Sequence, residues 1–142
     1  VETFPDVRSL IPHGGPSCLL DAVLRSGPEE TLCRAKVTAG HPYLAGSNVH
    51  PLLAIELFAQ AAAVHRALAR EPGVRGPAGG RLVAADVEVQ AARLDQESEL
   101  LVRVVPGAAF GQLTKFSGEL YRGQEQGLVA RGEVSVAVEA DS

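Results

Sequence analysis

A carboxylate in the middle of an apolar run is the first residue to account for. Glu56 follows Ile55 and precedes Leu57 and Phe58. Burying an unpaired carboxylate is expensive, so the sequence predicts that it is hydrogen-bonded or has a raised pKa. Either state makes it a candidate general acid or base. Gln60 stands four residues on, which on a helix puts both polar groups on one face within reach of each other. A plain structural role is also open: Glu56 could satisfy a backbone amide or pair with an arginine at a subunit contact.

Acid–base chemistry calls for a partner, and the chain carries four histidines, His13, His41, His50 and His65. His65 falls in the far half of the helical run and reads as a surface or packing residue. His13 lies between prolines and glycines and reads as a structural, hydrogen-bonded residue. His41 and His50 bracket a long loop leading to Glu56. His50 directly precedes Pro51, at the expected helix cap, where the positive end of the helix dipole favours the neutral imidazole able to take a proton. His41 sits on the loop itself and could be carried to a Glu56 of either subunit. Position alone leaves both open. Cys18 and Cys33 lack CxxC spacing and a histidine pair, and read as small core residues rather than zinc ligands or a redox couple.

These residues need a scaffold. From Pro51 to about Arg70 apolar side chains surround the helix axis on nearly every side, Pro51 suits the first helical position, and Pro72-Gly73 ends the run. Such a helix must be buried, and at ~1.5 Å per residue it spans roughly 30 Å, enough to cross a small domain. Before it, Cys18–Leu24 and Thr31–Val37 flank Gly27-Pro28 as a hairpin, and Ala39–Val49 has no period and reads as a loop. After it the pattern switches to alternation, with strands expected at Leu82–Gln90, Glu99–Val105, Gly111–Arg122 and Gly127–Val138. There is no βαβ repeat and no dinucleotide glycine motif. The expectation is one α+β domain over residues 1–142, a lone helix wrapped by a curved antiparallel sheet, with a second subunit able to close the side left open.

Composition narrows the function. The 142 residues carry a formal charge of -4, and the arginines nearest to a cluster, Arg66, Arg70 and Arg75, read as a solvated helix end, so nucleic acid is not an expected partner. No stretch shows the uninterrupted apolar length of a membrane span or the layout of a secretory leader, and the expected location is the cytoplasm.

Two segments resemble one family, the hotdog-fold 3-hydroxyacyl-ACP dehydratases. Ile11-Pro12-His13, Pro16 and Leu19-Leu20-Asp21 are similar to its Leu-Pro-His motif, proline and apolar run ending in an acid. Glu56-Leu57-Phe58-Ala59-Gln60-Ala61-Ala62 is similar to its Glu-x-x-Ala-Gln helix, whose Glu is catalytic. The family's Gly-His-Phe-Pro loop is met here by Gly40-His41-Pro42, set one place early, and its Pro-Gly pair by His50-Pro51. The aryl-polyene branch fits better, through His41-Pro42-Tyr43-Leu44, Gly46, Val49-His50-Pro51 and Ala54-Ile55-Glu56.

The resemblance implies a hotdog fold and a hydro-lyase that turns a 3-hydroxyacyl thioester of acyl carrier protein or coenzyme A into the 2-enoyl thioester. It makes Glu56 and His41 the catalytic pair, with Gln60 and His50 assigned to substrate binding. His41 would remove the proton next to the carbonyl, a protonated Glu56 would give its proton to the leaving hydroxyl, and amides at the helix start would polarise the carbonyl. It implies no metal or organic cofactor, and a homodimer, or a heterodimer with a related hotdog subunit, because family His and Glu come from opposite subunits. The same fold also supports thioester hydrolysis, and a non-catalytic acyl-binding subunit of a heterodimer is a third reading.

Overall fold

The computed structural model describes residues 4–11, 18–36, 44–45, 48–69, 80–90, 99–123 and 127–137. A 3-10 turn at Val7–Ser9 tucks Val7, Leu10 and Ile11 into the core. The expected hairpin follows as β1 (Leu20–Ser26) and β2 (Thr31–Lys36), paired from Leu20↔Ala35 to Ser26↔Thr31. Its turn is closed by the Gly27 amide donating to the Glu30 carbonyl at 2.9 Å.

The stretch read as an aperiodic loop carries a small ladder, β3 (Leu44–Ala45) against β4 (Asn48–Val49). Two-residue strands are too short to show a period, which is why composition alone suggested none. The helix α1 (Pro51–Ala69) starts at the expected proline and runs through the expected stretch to the last residue described there. Four long strands follow: β5 (Arg81–Val89), β6 (Glu99–Phe110), β7 (Leu113–Arg122) and β8 (Leu128–Ala137).

β6 runs five residues beyond its expected end at Val105, through Pro106 and Gly107. Those two residues look like a strand terminator. The ladder to β7 tolerates them because its register shifts between Pro106 and Ala109, and pairing resumes at Ala109↔Thr114. A bulge of this kind is where a strand accepts a residue that cannot donate.

All pairings in the six-stranded sheet are antiparallel, in the order β1-β2-β6-β7-β8-β5. This is an α+β hotdog arrangement, with α1 laid across the inner face. Alternation does the sorting. Cys33, Ala35, Leu100, Val102, Val104, Phe116, Leu120, Val134 and Val136 are buried under the helix. Arg34, Arg103, Lys115, Glu119, Arg131 and Glu133 occupy alternate positions on the outer side. There Arg103 bridges Glu30 and Glu119 at 3.1 and 2.9 Å, tying the hairpin turn to β6 and β7.

The helix meets the sheet through Leu53, Ala54, Leu57, Phe58, Ala61, Ala62 and Val64, all buried. Phe58 lies closest. A Cβ built on Gly118 of β7 would come within 2.6–2.8 Å of its ring, so only glycine lets helix and sheet approach here. By length and composition α1 could cross a membrane, yet 56% of it is buried against the rest of the chain, as a core helix must be. The opposite stripe, Leu52, Ile55, Glu56, Ala59, Ala63 and Ala67, is exposed or only half-buried, so the chain covers its apolar helix on one side.

Candidate active site

Glu56 belongs to that uncovered stripe, in the second turn of α1. Its half-buried carboxyl accepts a hydrogen bond at Oε1 from Gln60 Nε2 at 3.0 Å, the pairing that the four-residue spacing predicts. Gln60 is itself fully buried, and its Oε1 accepts the backbone N–H of Leu19 at 2.9 Å. Groups from two distant segments therefore form one chain: the residue leading into β1, and the buried amide and carboxyl of the helix. Both ends of the Gln60 amide are turned to protein groups.

His50 is exposed and caps α1. Its Nδ1 accepts the Leu52 N–H at 3.1 Å and its carbonyl accepts the Leu53 N–H at 2.9 Å. The lone pair on Nδ1 is occupied by the cap, so the neutral ring carries its hydrogen on Nε2 and has no second lone pair for a proton. The cap also uses the first two amides of the helix, since Pro51 has none. The expectation that amides at the helix start polarise a carbonyl therefore meets a helix end already satisfied by its own cap.

His41 and His13 lie outside the described residues. His65 is buried as a packing residue: its Nδ1 is 2.8 Å from Thr31 Oγ1, its ring meets Phe116 edge-on at 5.8 Å, and burial pushes its pKa down. Thr31 Oγ1 in turn lies 2.7 Å from Ser26 Oγ. This network was missed because Thr31 and His65 are 34 residues apart and neither has a local pattern that announces the other. Cys33 is buried in the core and Cys18 is half-buried, as read from their apolar surroundings. Among the described residues no three His, Cys, Asp or Glu side chains converge to hold a metal. A surface hollow of about 360 Å³ between Asp86, Glu119, Arg131 and Glu133 opens on the outer face of the sheet, away from Glu56.

The sheet and the long helix laid on it define a hotdog-fold protein, and the comparisons with solved structures agree. The chain is similar to a structure described as the dehydratase heterocomplex ApeI:P from Xenorhabdus doucetiae, at 21% identity and a TM-score of 0.82, covering 98% of this chain and 94% of that one. It is similar to zebra fish thioesterase superfamily member 2, at 18% identity and a TM-score of 0.70, covering 94% and 93%. A hypothetical thioesterase with coenzyme A from Streptococcus pneumoniae TIGR4 superposes at 12% identity and a TM-score of 0.65, covering 84% and 85%. No curated protein sequence matches. Residues 5–142 match the ApeP-like family, described as ApeP dehydratase, and the chain belongs to that family.

Proposed function

We propose that the chain dehydrates a 3-hydroxyacyl thioester carried on acyl carrier protein or coenzyme A, with Glu56 as the acid and His41 as the base. The observation that carries the reading is the half-buried Glu56 carboxyl, held by Gln60 on the one helix face the sheet leaves open. Membership of a dehydratase family supports it.

In the proposed step His41 takes the proton from C2, the C2–H electron pair becomes the C2=C3 bond, and the C3–O bond breaks. Glu56 in its acid form gives its proton to the departing hydroxyl, which leaves as water. The two side chains end with exchanged proton loads and reset through solvent. The capping role of His50 favours His41 as the base, because the Nδ1 lone pair of His50 is already in use.

The site is proposed to be completed by a related hotdog subunit. Among the described strands β5 is an edge of the sheet, paired on one side, and its Leu82 and Val83 are 42% and 54% exposed. An open apolar edge beside an uncovered helix stripe is the kind of surface that a second sheet covers. The similar Xenorhabdus structure is described as a heterocomplex, which supports a partner of the same fold.

The test is incubation with 3-hydroxyacyl-ACP, alone and with a co-expressed hotdog partner. The expected product is the 2-enoyl thioester. Free acid would identify a hydrolase instead, and no product in either assembly would leave a binding subunit. Glu56→Gln should lower turnover by ~100-fold or more while the fold is kept. A fully active variant overturns the assignment.

A further inference from the structure

Gln60 is buried where water cannot replace a lost partner, and its amide joins two groups with fixed requirements. The Leu19 N–H can only donate, so the amide oxygen must face it. The NH2 group must then face Glu56. The orientation of the amide is thus set from outside the helix, by the residue that leads into β1.

That orientation acts on the carboxyl. An oxygen that receives an N–H serves as the acceptor, and in a carboxylic acid the better acceptor is the carbonyl oxygen, not the hydroxyl. Whenever Glu56 carries a proton, the Gln60 bond at Oε1 therefore favours placing that proton on Oε2. Resting on the reading of Glu56 as the acid, we infer that Gln60 is a positioning residue: its amide, locked by the Leu19 N–H, fixes which carboxyl oxygen delivers the proton. A side-chain pair four residues apart can swivel together, but a third anchor on another segment removes that freedom.

A double-mutant cycle on the full chain tests this. Gln60→Met keeps the volume and loses the bonds to Leu19 and Glu56. It should lower kcat by about 10- to 100-fold, since small misplacements of a reacting group are costly, with KM within about twofold. Glu56→Asp shortens the acid out of reach of Gln60, so in that background Gln60→Met should cost less than about threefold. An equal loss in both backgrounds, or wild-type kcat in Gln60→Met, overturns the inference. Turnover that survives Glu56→Gln would instead overturn the reading of the acid itself. As a readout that needs no turnover, Glu56→Ala should shift the NMR signals of the Gln60 carboxamide and the Leu19 amide together, and unmoved signals would overturn the coupling.

Discussion

Replacing Gly118 by alanine pits two effects of opposite sign against each other. Glycine in a strand costs backbone entropy, so adding a methyl group in open space would stabilise the chain by ~0.5–1 kcal/mol. At Gly118 the new Cβ would stand 2.6–2.8 Å from three Phe58 ring carbons, against an optimum of roughly 3.5–4.0 Å. Phe58 is fully buried and has no open side to retreat to, so relief requires a shift of ~1 Å by the ring, the helix or the strand. Overpacking of this kind costs about 1–3 kcal/mol and outweighs the entropy gain.

The net expectation is a loss of about 1–2 kcal/mol, read as a fall in Tm of roughly 5 °C for a chain of this length. Phe58→Leu removes the obstructing ring. The double variant should therefore be close in stability to Phe58→Leu alone, instead of showing the sum of the two losses. Differential scanning calorimetry on the four proteins measures this. Unchanged Tm in Gly118→Ala, or strict additivity in the cycle, would refute the close approach of helix and sheet at this point.

Other outcomes follow from the buried groups. Because burial depresses the pKa of His65, the unfolded chain binds a proton that the native chain refuses once the pH drops below ~6.5. Stability should be full above that pH and fall progressively toward the lowered native pKa. Urea unfolding at about pH 7.5 and about pH 5 checks it, and His65→Gln should remove that part of the dependence. Thr31→Val deletes the fully buried hydroxyl between Ser26 and His65 and should cost about 1–3 kcal/mol by urea titration, because the imidazole nitrogen is left without its partner. Burial raises the Cys33 thiol to about 12, so a thiol reagent at neutral pH should label Cys33 only as fast as the chain opens. Equal labelling rates in native and denaturing conditions would contradict its placement.

What could be read in the sequence was whatever is encoded locally. The length of α1, its proline start and the contact between Glu56 and Gln60 all follow from helical spacing and appear where expected. Of the alternating valines Val134, Val136 and Val138, the first two are buried in β8 as read, and Val138 lies outside the described residues. What stayed hidden depends on distant pairing. Pro106-Gly107 ended a strand on paper, and only the register shift against β7 shows why β6 continues. Gly118 reads as an ordinary strand glycine until Phe58 is placed above it. The Leu19 anchor of Gln60 joins residues 41 positions apart, and no periodicity reports such a link. At His50 the cap was anticipated, but not that the ring nitrogen itself would be consumed by it.

The strand order carries a consequence for how the chain is made. Among the described strands β5 bonds to β8 alone, and β8 comes last of the six in sequence. Until Leu128–Ala137 is synthesised, Arg81–Val89 has α1 to pack on but no described strand to pair with, and part of that greasy helix waits for its cover. This sheet can therefore close only once β8 is made, over long-range contacts that form slowly. Loss of β8 would release β5 as well, so a nascent chain stalled near Gly127 should be far more vulnerable to proteases than the absence of one strand suggests.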